Sequence, residues 1–304
     1  MIMENKIIGI SRRRSAFTLI EIMVASVIMV ILTGLVIQIT SEVLKVWNRS
    51  SGKLSANAEV RIALEFLTQD LETAVLRNNG KQWFRVEAPI DPGGPYTDQT
   101  VALKLFSPAL DRDKSVSGDI CAVGYQLDFG PAYEGAEDNV YALYRKIVNP
   151  EVTFNSVMGS SGDSLQDSLV GGQWDSIVDK PERANYLAGN ILEFKVFLCT
   201  DDGTGADNFV NAYDTTDITK GLDGNNYAFG SNPDPDKADT TVTEITDQLL
   251  YAEVHLKVIS DEGLQLLQRF DEQGAFDRYK AASDIVIEHG QTFTRRVNFL
   301  ARPL

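Results

Sequence analysis

The chain has 304 residues, a formal charge of −15 and 43% apolar residues, which excludes wholesale disorder and leaves room for a sizeable globular core beside other elements. The acidic balance argues against nucleic acid or an anionic membrane surface as ligand of the globular part. Cys121 and Cys199 are the only cysteines, too few for a disulfide framework.

The first element is a leader, residues 1–16, ending in Arg12-Arg13-Arg14-Ser15-Ala16. An apolar run follows from Phe17 to Ile39, interrupted by one carboxylate, Glu21. At 1.5 Å per residue the run measures roughly 34 Å, enough to cross a bilayer core. It is too long for a signal-peptide core, and the small residue precedes it instead of following it. The three arginines would hold the leader in the cytoplasm. A plain anchor leaves Glu21 without a reason, because an acid at membrane depth costs about 2.5–3.5 kcal/mol by insertion scales and needs a partner.

This arrangement resembles the cleavage and methylation signature of type IV prepilins and of type II secretion pseudopilins. The resemblance implies cleavage between Ala16 and Phe17 by a prepilin peptidase, then methylation of the new Phe17 amine. It also implies that Glu21 is neutralised by the amine of a neighbouring subunit during filament assembly. The family usually carries Gly before the cut, where this chain has Ala16. The leader holds Lys6, Arg12, Arg13 and Arg14 against Glu4, so its removal would take the formal charge from −15 to −18.

No proline occurs before Pro89. The helical pattern continues past the span, with Leu54, Ala58, Ile62, Ala63, Phe66, Leu67, Leu71, Ala74 and Val75 as its apolar stripe. The expected organisation is a membrane half at 17–39, an amphipathic half at 40–79 ended by Asn78-Asn79-Gly80, and a head at 80–304. Ser50-Ser51-Gly52 and Gly34 are the expected weak points of the helix.

From Pro89 the period becomes two. Val101–Phe106, Ile120–Leu127, Val140–Val148, Leu192–Leu198, Leu250–Val258 and Phe293–Leu300 read as strands, and a short helix is expected near Glu262–Phe270. The strands at 192–198 and 250–258 each show one apolar and one mostly polar face, as in an antiparallel sheet covered on one side. One helix followed by many strands indicates an α+β fold, here the pilin-like arrangement of a long helix packed on an antiparallel sheet. Phe66–Glu72, Gly124–Asp128 and Tyr141–Arg145 are similar to segments of J-type minor pseudopilins. Thr292–Asn298 is similar to a segment of the pilin-like cassette protein C group.

The acidic insertion at 200–240 is dense in oxygen ligands, with Asp201, Asp202 and Asp207 as calcium candidates. It lacks EF-hand spacing, so a solvated acidic loop is the competing reading. Strand parity leaves both a Cys121–Cys199 bridge and two separate buried thiols open. His255 and His289 are the only histidines, and His255 falls on a polar strand face. No nucleophile elbow, zinc-ligand spacing or phosphate-binding glycine loop occurs, so no enzymatic role or resident cofactor is expected.

The resemblance implies a single-pass inner-membrane protein with a cytoplasmic leader and a periplasmic head. Its partners would be prepilin peptidase, other minor and major pilins or pseudopilins, and the inner-membrane assembly platform. The role expected is a minor subunit at a tip or priming complex; the alternative is a membrane-anchored tip adhesin or secretion-substrate-binding module.

Overall fold

The computed structural model describes residues 18–77, 82–96, 100–112, 115–158, 165, 182–201, 203–218, 221–230, 242–276 and 279–300. The chain divides into two compact units, residues 1–50 and 51–304. One helix, α1 (Leu19–Glu72), contributes to both. It is helical through Ser50-Ser51-Gly52, the expected weak point.

In the first unit every large apolar side chain from Leu19 to Trp47 is exposed. In the second unit α1 buries Ala56, Val60, Ala63, Leu64, Leu67 and Leu71. The expected stripe is right from Ala63 onward and wrong before it: Leu54 and Ile62 are exposed at 72% and 50%. Strides of four along a helix of 3.6 residues per turn drift by about 40° each. The face that stays on Leu67 therefore runs back through Ala63 and Val60 to Ala56, which the small side chain of Ala56 makes inconspicuous.

The helix also ends earlier than Asn78-Asn79-Gly80, a segment outside the described residues. Thr73 Oγ1 donates to the Gln69 carbonyl at 2.7 Å, and two residues on the Val75 N–H is taken by the Phe106 carbonyl at 2.8 Å. Pairing with a strand end competes successfully with another helical turn.

The remaining elements are β1 (Phe84–Ile90), β2 (Thr100–Ser107), β3 (Cys121–Pro131), β4 (Asn139–Val148), the one-turn α2 (Pro150–Val152), β5 (Tyr186–Gly189), β6 (Ile191–Asp201), β7 (Asn208–Phe209), β8 (Asn226–Phe229), β9 (Val242–Ile245), β10 (Gln248–Ile259), α3 (Asp261–Gln273), α4 (Ala282–His289) and β11 (Gly290–Asn298). They build two sheets, β5-β4-β3-β2-β1-β8-β9 and β11-β10-β6-β7. Every pairing is antiparallel except β8 with β9. The architecture is thus a long N-terminal helix followed by an antiparallel-rich β domain, an α+β fold. The inner faces of both sheets and the second half of α1 share one apolar core.

Two local features refine the one-sided reading of the strands. β10 alternates as expected from Ala252 onward, with Ala252, Val254, Leu256 and Val258 buried and Glu253, His255 and Lys257 half-buried; before it a bulge reverses the expected faces, leaving Leu250 half-buried and Tyr251 buried. β6 does not: Glu193, Phe197 and Cys199 on its second face are buried as well. The strand also carries a bulge. Glu193 pairs with Lys257 and Ile191 with Val258, so Leu192 is the extra residue and enters a second core with Tyr141, Leu264 of α3 and Ile285 of α4. The sheet edge beyond β7 is finished by a side chain. Asn211 accepts from the Leu198 N–H at 2.8 Å and donates to the Val196 carbonyl at 2.7 Å, continuing the ladder where the backbone leaves it.

α3 begins near the expected position, capped by Ser260 Oγ, which accepts from the Gly263 N–H. α4 has no counterpart in the sequence reading. It is capped by Gly290, which is also the first residue of β11, so the final strand starts there instead of at Phe293.

Candidate functional site

Two places concentrate chemistry that the fold alone does not explain: the start of α1 and the end of its buried half. At the start, Glu21 Oε2 accepts from the Thr18 N–H at 2.9 Å and from Thr18 Oγ1 at 3.1 Å. The Glu21 N–H donates to Thr18 Oγ1 at 3.4 Å. Thr18-Leu19-Ile20-Glu21 is therefore a reciprocal capping box, satisfying two of the donors that a helix start leaves open. A partner for Glu21 exists within the chain itself, which the sequence reading did not consider, although the Thr-x-x-Glu spacing announces it. Ala16 and Phe17, the expected cleavage pair, lie outside the described residues. Among the described residues α1 is the one helix long and apolar enough to cross a membrane, with a mean hydropathy of 2.6 over its most apolar window.

At the other place, Asp70 is fully buried on α1. Its Oδ2 accepts from Tyr125 Oη of β3 at 2.5 Å and from Arg145 Nε of β4 at 2.8 Å, and its Oδ1 accepts from Ser107 Oγ of β2 at 3.0 Å. Arg145 turns its other two nitrogens to Asp111, at 2.6 and 3.0 Å, and lies 4.9 Å over the Phe66 ring. One carboxylate thus ties the helix to three strands. Burial, then the Asp70 charge, pushes the Tyr125 phenol well above its ordinary value. Burial alone would lower Arg145, but Tyr125, Asp111 and Asp70 together raise it. Partial burial works to raise the Asp111 carboxyl, yet the hydrogen bonds and charge of Arg145 outweigh it and hold the group below the usual carboxylate range. Asp70, Tyr125 and Arg145 come from three separate segments of the sequence. Nothing in the sequence joined them to one another.

The other site residues stand apart. Cys121 is buried in β3 of the larger sheet and Cys199 in β6 of the smaller one, and both are free thiols with no bridge between them. Burial is the main cause of the raised Cys121 thiol. Asp201 and Asp207 are exposed, and Asp202 lies outside the described residues. Asp201 Oδ1 accepts from the Gly203 N–H at 2.9 Å. The same two-residue reach recurs at Asp214 with Thr216 and at Asp223 with Asn225. These acids shape turns with their own backbone. Among the described residues no group of three or more His, Cys, Asp or Glu is placed to hold a metal ion. His255 is half-buried against the Phe197 ring, and burial lowers its imidazole below the ordinary range. His289 is buried, 3.0 Å from Tyr279 Oη.

No curated protein and no solved structure matches this chain. Its first unit does match a family model: residues 11–37, from the basic leader across the start of α1, carry the prokaryotic N-terminal methylation motif.

Proposed function

We propose that this chain is a pilin-like subunit, cut by prepilin peptidase between Ala16 and Phe17, methylated at Phe17, and assembled from the membrane into a helical filament. The observation that carries the reading is the methylation motif at residues 11–37, which reaches across the start of a helix whose large apolar side chains from Leu19 to Trp47 are all exposed. An isolated apolar helix demands a lipid or protein surround, and a filament core supplies the second once the first is left behind. Before assembly the helix would span the inner membrane once, with the leader in the cytoplasm and the head in the periplasm. Within this reading the chain acts as a minor pseudopilin at the tip or priming complex of a type II secretion-like system. Its partners would be other pilins or pseudopilins and the assembly platform. The role is structural, not enzymatic.

Mass spectrometry of the protein purified from its membrane tests the proposal. The expected mature chain begins at Phe17 and carries one added methyl group. An intact leader would leave only a plain membrane anchor.

A further inference from the structure

Among the described residues the two sheets end in four strands, β5 and β9 in the larger, β7 and β11 in the smaller. Two of these edges are closed. β7 has two residues, and Asn211 finishes the ladder beside it. On β5 the Gly189 N–H donates to Glu59 Oε2 of α1 at 3.0 Å.

The β11 edge is open. This strand pairs with β10 in unbroken register from Gly290 to Asn298. Just beyond one end the Phe299 N–H donates to the Leu250 carbonyl, and beyond the other the Ser260 N–H donates to the His289 carbonyl. Bonded pairs alternate along an antiparallel ladder, so these two contacts fix its parity. Gln291, Phe293, Arg295 and Val297 bond to β10, whereas Thr292, Thr294, Arg296 and Asn298 turn their N–H and C=O groups outward. All four of the latter are exposed, and their backbone groups meet no partner among the described residues. They form a template roughly 20 Å long for one more strand.

Charge decides which strand fits. β11 carries Arg295 and Arg296 and no acid, and Arg295 makes no ion pair among the described residues. Two copies of β11 side by side would bring arginines together, and like charges across a strand pair destabilise it. β9, the open end of the larger sheet, has the opposite character. It carries Glu244 and no base, Asp247 follows it, and Thr243, Glu244 and Asp247 are exposed. We propose that β11 of one copy of this chain pairs with β9 of a second copy, joining a smaller sheet to a larger one, with Glu244 beside Arg295. Backbone hydrogen bonds give such a contact its strength, and the unlike charges select the partner. The contact lies between second units and does not rest on cleavage at Ala16.

Sedimentation velocity of the full chain tests this, in a detergent that covers the apolar half of α1. The chain should self-associate, and less so at high salt. Arg295→Glu and Glu244→Arg should each weaken association about tenfold by setting like charges across the pair. An equimolar mixture of these two variants should recover it, because each offers the other an opposite edge. Thr294→Pro removes only an outward N–H, which an edge strand tolerates, and should abolish association with an unchanged melting temperature. A chain that stays monomeric at millimolar concentration overturns the proposal. So does association that survives Thr294→Pro, or a mixture that associates no better than either variant alone.

Discussion

Glu21 has two physical explanations, and a single substitution separates them. Its carboxylate closes the capping box with Thr18, and a glutamine closes the same box without the charge. Glu21→Gln should therefore leave membrane insertion and leader cleavage intact. If the carboxylate also meets a neighbour's amine, the variant disappears from sheared or purified filaments, read by immunoblot. Normal incorporation would leave Glu21 as a helix cap and nothing more. The deep cluster makes a different prediction. Removing Asp70 leaves Asp111 as the one carboxylate on Arg145 and takes an acceptor from the Tyr125 and Ser107 hydroxyls. Breaking such a pair from one side costs about 3–5 kcal/mol. Asp70→Ala should lower the urea midpoint accordingly, with an unchanged denaturant slope; a loss under about 1 kcal/mol would mean that the cluster contributes little. Glu21 was conspicuous in the sequence because it interrupts an apolar run. Asp70 was not, because an acid on an amphipathic helix looks solvated until strands 37 to 75 residues away close over it.

At the level of elements, periodicity conveyed what each segment is better than where it turns. The strands β2, β3, β4 and β10 lie where period two placed them. The helix face was misread over its first turns, where the buried side chains are Ala56 and Val60 and the exposed ones are Leu54 and Ile62. The second covered face of β6 was invisible for another reason: Phe197 there packs on the His255 ring and Cys199 lies opposite Tyr251, neighbours that the strand register alone supplies. α4 went unseen because no capping Ser, Thr or Asn announces it. Its start is held instead by Asp284, which accepts from the Lys280 and Ala281 N–H groups at 2.8 and 2.9 Å. Close packing of α3 rests on one glycine. A Cβ on Gly263 would lie 2.5 Å from His289 Cβ and 2.6 Å from Ile259 Cγ1. Gly263→Ala, which usually favours a helix, should here destabilise by about 1–3 kcal/mol through overpacking. Differential scanning calorimetry would show it, and a raised melting temperature would refute the tight fit.

For the molecule as a whole, the buried ionisable groups set a stability profile against pH. Asp111 is depressed in the fold, so its contribution is present above its unfolded value, about 3.8, and is lost as pH falls through the lower folded one. Burial is the leading cause that pushes Tyr141, Tyr144, Tyr186 and Tyr227 up to about 12. A raised phenol keeps its proton in the fold after the unfolded chain has lost it. That contribution is intact below about pH 10 and lost between about 10 and 12. Stability should thus hold from about pH 6.5, the ordinary value of the His255 imidazole that burial lowers, to about 9, the ordinary value of the Cys121 thiol that burial raises. Asp111→Asn should shorten the acid limb and Tyr144→Phe the alkaline limb. Urea titrations from pH 3 to 11.5 would check both; identical limbs in the variants would refute the assignment. The order of elements, a long helix before an antiparallel-rich head, was legible from one change of period. Its division into two sheets with a shared core was not, since that depends on which strands become neighbours across long connections.

One small contact carries a practical consequence. Because the Asn211 amide finishes the ladder beside β6, the chain beyond it has no further obligation to the sheet. The Ala212–Leu222 bridge and the Tyr213 N–H on the Gly221 carbonyl close the neck. Asp214 then ties its own tip through Thr216. An epitope spliced between Thr215 and Thr216 would replace the Asp214–Thr216 turn and leave the neck bonds, Ala212–Leu222 and Tyr213–Gly221, in place. The head could then be followed by antibody with both of its sheets left as they are.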